Sequence, residues 1–128
     1  MFDKSYHVDP SVKTPQINFD AQSGIFELKG RSLPENSVQY YLPMFIWLEH
    51  YTLNPAPQTI LNIQLDYFNS SSSKSIANLF MRLVQISKSG KSKVVINWLY
   101  NEQDDDMLEA GEDFKSIIEI QFNLVSIK

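Results

Sequence analysis

Two apolar rhythms that trade places along the chain predict an α/β fold, a mixed and mostly parallel sheet in the order β-β-α-β-α-β-α-β. Three observations carry that expectation. Five segments alternate apolar and polar residues or run β-branched, the signature of strands, and three others repeat at helical spacing between them. Strand–helix–strand succession calls for right-handed crossovers, which leave neighbouring strands parallel. The first two strands have only Ala21-Gln22-Ser23-Gly24 between them, a turn that makes a hairpin and so a mixed sheet.

Residues 1–14 mix polar side chains with Pro10 and read as a flexible N-terminal arm, leaving residues 15–128 as the single domain. Gln16–Asp20 and Gly24–Gly30 are the hairpin strands. Ser32-Leu33-Pro34-Glu35 then combines a capping-box pattern with proline at a first helical position. From Glu35 to Tyr51 one stripe holds Val38, Tyr41, Leu42, Phe45 and Leu48, and a second holds Tyr40, Met44, Trp47 and Tyr51. This helix is apolar around more of its circumference than one core contact needs, which leaves room for an exposed interaction face. Pro43 removes a donor inside it and is expected to kink or split it.

Thr59 to Phe68 alternates as a strand with Leu61, Ile63, Leu65 and Tyr67 on one side. Ile76, Leu79, Phe80, Leu83 and Ile86 form the apolar face of a helix over 73–87, with Gly90 as its stop. Val94 to Tyr100 is almost continuously apolar, the look of a strand covered on both faces. Asp105 to Ile118 reads as a helix with an acidic start, and Ile120 to Ile127 as the closing strand.

With 128 residues, 43% hydrophobic and 20% charged, the chain can fill one core without disulfide or metal. It has no cysteine, so thiolate metal sites and cysteine nucleophiles are excluded and a reducing compartment fits. No secretion-signal layout opens it, and no apolar run nears the roughly 18 residues of a membrane span. A cytoplasmic place is the simplest expectation. The net charge of −4 speaks against nucleic acid, whose binders carry a basic face. Lys88, Lys91 and Lys93, the one basic cluster, read as a solvated turn.

Catalytic equipment is sparse. A serine nucleophile needs a histidine base, and the chain offers only His7 and His50, with no G-x-S-x-G elbow. Asp104, Asp105, Asp106, Glu109, Glu112 and Asp113 are dense, but Glu109 stands where a calcium loop from Asp104 needs glycine. An acidic helix start accounts for most of that charge, and a partner's basic surface is the other use for it. Neither a P-loop nor a dinucleotide fingerprint is present, and no cofactor or metal is expected.

What remains is Asn69-Ser70-Ser71-Ser72-Ser73-Lys74, at the junction of a strand and a helix. A hydroxyl there sits over first-turn amides that have no partner within the helix. It either caps the helix, at about 1 kcal/mol, or offers a kinase a place for phosphate at the positive end of the dipole. Chemistry alone does not choose between cap and switch.

Leu65-Asp66-Tyr67-Phe68-Asn69-Ser70-Ser71-Ser72-Ser73-Lys74, Val95-Ile96-Asn97-Trp98-Leu99-Tyr100 and Asp106-Met107-Leu108-Glu109-Ala110-Gly111-Glu112-Asp113-Phe114 resemble the SiaC family of bacterial regulatory phosphoproteins. Gly30-Arg31-Ser32-Leu33-Pro34-Glu35 and Trp47-Leu48-Glu49-His50-Tyr51 fit its earlier segments, so the likeness runs from Ile17 to Phe122. The resemblance implies a STAS-like fold, similar to anti-sigma-factor antagonists, and a phosphoacceptor at Ser70, where the family usually has threonine. Ser71 is its rival, and Asn69, Ser70, Ser71, Ser72 and Lys74 are the implied partner-binding positions. It also implies a Ser/Thr protein kinase, a metal-dependent protein phosphatase, and a diguanylate cyclase activated by the unphosphorylated form, with cyclic di-GMP favouring biofilm or aggregation. Rival expectations are a STAS-like module for a lipid or small apolar ligand, an anti-sigma-factor antagonist, and a small serine hydrolase.

Overall fold

The computed structural model describes residues 3–128. Its elements are β1 (Ser5–Val8), β2 (Gln16–Asp20), β3 (Ile25–Ser32), α1 (Ser37–Tyr51), β4 (Gln58–Phe68), α2 (Ser70–Lys88), β5 (Lys93–Asn101), α3 (Asp105–Ile117) and β6 (Gln121–Ile127). The expected order is present, preceded by one further strand, β1, inside the segment read as an arm. That segment pairs antiparallel with β2, Lys4 and Lys13 carbonyls accept from the amides of Ala21 and Leu33, and Trp47 Nε1–H donates to Asp3 O at 2.8 Å. The pairing partners lie about ten or more residues away, beyond the reach of a local pattern.

The six strands lie in chain order, β1–β2–β3 antiparallel and β3 through β6 parallel. Three right-handed crossovers that all step the same way place all three helices on one face. Two in-register rows point into that layer: Phe19, Phe26, Leu61, Ile96 and Phe122, then Ile17, Leu28, Ile63, Trp98 and Leu124. Both-face cover of β5 is therefore not what the fold builds. Val94, Ile96 and Trp98 enter the core, whereas Val95, Asn97 and Leu99 share the side that carries Asn62 and Asn123. The continuous apolar run reflects tight neighbours on the uncovered face, not a second helical layer.

The core has two aromatic clusters. Beneath α1, Phe19 stacks on Phe26 at 4.5 Å, and Trp47 and Tyr51 close over them. Beneath α2 and α3, Phe80 sits edge-on to Trp98, Phe114 and Phe122. Helix α1 corrects two expectations. Its cap is Asn36, whose side chain accepts from Gln39 N–H, while Ser32 stays in β3 as the partner of Phe68. Pro43 neither splits nor ends the helix. Gln39 and Pro43 both face solvent, so the carbonyl left without its donor can be hydrated. The second stripe faces inward with Tyr41 and Leu48, leaving Val38, Leu42 and Ile46 on the outer side, each at least half exposed.

One irregularity positions the serine run. Between Gly30 and Arg31 the register of β3 on β4 jumps from Leu65 to Tyr67, so Asp66 is an extra residue, a bulge. Gly30 opposite has φ +123°, a conformation that side-chain-bearing residues avoid. The bulge reverses the parity of the strand's end. Tyr67, expected inward, is 53% exposed, and Phe68 turns in to meet the Trp98 ring edge-on.

Candidate functional site at the start of helix α2

Helix α2 begins at Ser70, three residues before the apolar periodicity indicates, so all four serines lie in its first turn or just past it. Asn69 is the cap. Its Oδ1 accepts from Ser72 N–H at 2.9 Å and from the Ser71 hydroxyl at 3.2 Å, and its Nδ2 donates to Pro34 O at 3.2 Å. Its own amide donates to Ser32 O at 3.0 Å. Asn69 thus ties the end of β3 and the approach to α1 onto the start of α2.

Below it runs a buried hydroxyl relay. Ser72 Oγ donates to Ser32 O at 3.0 Å and accepts from Ser32 Oγ at 2.7 Å, and Ser32 Oγ lies 2.6 Å from Tyr41 OH. With both serine protons committed, the Tyr41 hydroxyl donates into this pair. Burial pushes that phenol up to about 12, with the Ser32 bond lowering it in part and the nearby Tyr40 raising it. Beside the relay, Ser37 Oγ donates to Ser71 O at 2.8 Å and accepts from Ser75 Oγ at 3.3 Å. The two helix starts are therefore bolted together by side chains.

The serine run divides by depth. Ser70 and Ser71 are exposed, Ser73 is half-buried, and Ser72 is fully buried. This corrects one expectation: Ser72 belongs to no docking surface, because its hydroxyl faces inward and both of its roles are filled by Ser32. Ser71 offers an exposed hydroxyl already bonded to the cap. Ser70 Oγ makes no hydrogen bond among the described residues, and it sits at the first helical position above amides that the helix cannot use. Lys74, exposed, follows Ser70 by four residues on the same side of the helix.

The surroundings are acidic. Beyond the carboxyl ends of β4 and β5 lies an open cleft lined by Asp66, Asn101, Gln103 and Asp104 to Asp106. A second cleft runs from Asp66, Tyr67 and Phe68 to Met107 and Ala110, and a third passes Phe68, Ser73, Asp113 and Ile117. Asp104 has a structural task, as its Oδ1 caps α3 by accepting from Met107 N–H at 3.0 Å. Asp105 and Asp106 occupy the first turn of α3, favourable to its dipole.

The histidines stand apart from the serines. His50 is thirteen residues along α1 from Ser37, about 20 Å at 1.5 Å per residue, at the opposite end from the serine contacts. His7 lies on β1, three strands from β4, with Nε2 2.8 Å from Asp9 Oδ1. Neither reaches a serine of the run, so the hydrolase arrangement is not assembled. Ser32, Ser37 and Tyr41 are the site residues that sequence reasoning missed. The serine partners of Ser32 and Ser37 lie 34 to 40 residues away, and Tyr41 meets Ser32 across the connection from β3 to α1, so no local pattern joins them.

Comparison with known proteins agrees with the overall fold. An uncharacterised protein of Pseudomonas aeruginosa strain UCBPP-PA14 is 28% identical over 109 residues, spanning 85% of this chain and 86% of that one. The crystal structure of apo-SiaC from Pseudomonas aeruginosa superposes with a TM-score of 0.83 at 24% identity, over 94% of this chain and 98% of the other. The structure of the diguanylate cyclase SiaD in complex with its activator SiaC gives a TM-score of 0.88 at 25% identity, over 95% and 99%. The model of the SiaC family regulatory phosphoproteins matches residues 8–127, nearly the whole sequence, and the chain belongs to that family.

Proposed function

We propose that this chain is a non-enzymatic phospho-switch whose unphosphorylated form binds and activates a diguanylate cyclase. The observation that carries the reading is the division of the serine run, with Ser70 exposed and its hydroxyl unengaged while Ser72 is locked beneath it. Family membership and the cyclase–activator complex of the Pseudomonas relative supply the output. A Ser/Thr kinase transfers the γ-phosphoryl group of ATP to Ser70 Oγ, with the hydroxyl proton passing to the kinase's base and ADP leaving. A metal-dependent phosphatase hydrolyses the ester. Both ATP and the cyclase's GTP place this cycle in the cytoplasm.

The phosphate adds up to two negative charges and three acceptors. At the helix start the unpaired amides and the dipole accommodate them, and Lys74 lies within one turn, so the fold survives modification. The effect falls on the partner: a surface that met a neutral hydroxyl, on a chain whose net charge is already −4, now meets a dianion's repulsion and bulk. Asn69 and Ser71 shape the docking surface beside Ser70. The ligand-sensing alternative is less favoured because the space between sheet and helices is filled by Phe80, Trp98, Phe114 and Phe122, with ring centroids 5.1 to 6.3 Å apart.

Incubation with the cognate kinase and ATP, read by intact mass, tests the acceptor. Ser70→Ala should lose the added phosphate and Ser71→Ala should keep it. The reverse pattern moves the switch to Ser71. In a cyclase assay with purified components, unmodified protein should stimulate turnover, and phosphorylated protein should bind at least about tenfold more weakly, roughly 1.4 kcal/mol. Equal stimulation by the two forms would sink the proposal.

A further inference from the structure

Strand β6 ends the sheet, and among the described residues nothing pairs with its outer edge. Glu102 N–H donates to Ile127 O at 2.8 Å, so the backbone groups of Ile127 face β5. Alternation along a strand turns those of Val125, Asn123 and Gln121 the same way, and those of Phe122, Leu124 and Ser126 outward. Folded proteins guard such edges with charge, proline, bulges or shortness. The β1 edge is guarded, four residues long between Lys4 and Asp9-Pro10. The β6 edge has seven residues, none charged, no proline and an unbroken register with β5.

This open edge is also held stiffly. On the uncovered face one register row runs Glu27, Asn62, Asn97, Asn123. Asn123 Nδ2 donates to Asn97 Oδ1 at 2.9 Å, and Asn97 Nδ2 donates to Asn62 Oδ1 at 2.9 Å. The ladder fixes β6 in register across three strands, so little ordering remains to be done when another strand arrives.

We propose that β6 pairs antiparallel with β6 of a second copy of this chain, about a two-fold axis at Leu124. Leu124 is the midpoint of Gln121–Ile127, and its backbone groups are outward-turned. The axis therefore lets Leu124 exchange both hydrogen bonds with Leu124 of the second copy. Phe122 and Ser126 do the same with the second copy's Ser126 and Phe122, which satisfies every outward group of the strand. Val125, 38% exposed, comes to lie opposite Asn123 of the second copy. Lys128 falls within one residue of the second copy's Glu119, whose carboxylate already lies 3.3 Å from Lys88 Nζ. A second lysine therefore joins an existing ion pair at both ends of the join, in a chain whose net charge of −4 otherwise opposes self-association. The join runs along β6 and leaves Ser70 uninvolved, independent of the switch reading.

Sedimentation equilibrium over a wide concentration range should show the mass rising from one chain to two. Val125→Lys, which plants a charge on the edge, and Ser126→Pro, which removes only an outward donor, should each raise the dimer dissociation constant at least about tenfold with the far-ultraviolet spectrum unchanged. In the unsubstituted protein, amide exchange at Phe122, Leu124 and Ser126 should slow with rising concentration, while exchange at β1 does not. Ser70→Ala should dimerise like the parent. A single chain at every concentration, a dimer indifferent to both substitutions, or β6 amides protected only when the cyclase is added would overturn the proposal.

Discussion

Replacing Asn69 with alanine probes the one residue on which the geometry of the proposed switch turns. Alanine removes a cap acceptor used by Ser72 N–H and by the Ser71 hydroxyl, and a donor used by Pro34 O. Loss of an asparagine cap costs about 1 kcal/mol, and the part-buried bond to Pro34 about another 1 kcal/mol. The sum is about 2 kcal/mol, or about 6–10 °C in Tm for a domain of this size. Aspartate at the same position separates the two losses. It keeps both acceptors, gains about 0.3–1 kcal/mol from the helix dipole, and turns an oxygen toward Pro34 O in place of the donor. Asn69→Asp should therefore fall between the parent and Asn69→Ala. Urea unfolding with a common slope for all three proteins is the assay. An alanine variant within about 0.5 kcal/mol of the parent, or an aspartate variant as weak as alanine, would refute the capping account.

Three further perturbations test other parts of the structure. Ser72→Ala removes an acceptor from Ser32 Oγ inside the buried relay, and should cost about 1–3 kcal/mol in chemical unfolding while leaving kinase modification intact. Gly111→Ala would bring a Cβ to 2.5 Å from Trp98 Cδ1 and 2.8 Å from Leu124 Cδ2; overpacking at about 1–3 kcal/mol should exceed the helix propensity gained, seen as a lower Tm. The Tyr41 phenol, raised to about 12, favours folding fully below its ordinary value near 10. That contribution drains away as pH climbs from about 10 to about 12, since the unfolded chain ionises first. Phenolate absorbance of the folded protein should lose its latest-titrating step in Tyr41→Phe, and no change in that step would contradict the burial of the hydroxyl.

The fold was legible wherever the signal was local. Strands β2, β4 and β6 and helices α2 and α3 were marked by period alone, because each buries one face against a single layer. Strand β5 misled for the same reason: Val95 and Leu99 look like a second buried face, but their neighbours are other strands of an uncovered sheet. The capping box at Ser32 was overruled because a longer-range bond, Asn69 N–H to Ser32 O, holds that residue in β3. Ser70 and Ser71 were readable as exposed hydroxyls at a helix start. The burial of Ser72 was not, since it depends on Ser32 and Tyr41, whose approach is set by the bulge at Asp66. Gly30 was the single mark of that bulge, and in the sequence it reads equally well as the end of a hairpin strand.

The bulge and the relay together explain how a modifiable hydroxyl can coexist with a rigid junction. Without the extra residue, Tyr67 would keep its inward parity and Phe68 would face out, and the chain would leave β4 half a pleat earlier. Asn69 could not then reach both Ser32 and Pro34. With the bulge, Phe68 anchors on Trp98, Asn69 caps, and the next two serines emerge with the Ser71 carbonyl held by Ser37. All the structural work is given to the second and third helical positions, Ser71 through its carbonyl and Ser72 through its hydroxyl. Ser70 has no structural duty to lose in the esterification we propose for its oxygen. Modification can therefore alter what the surface presents without a cost to the fold, which is the condition a reversible switch on a small domain has to meet.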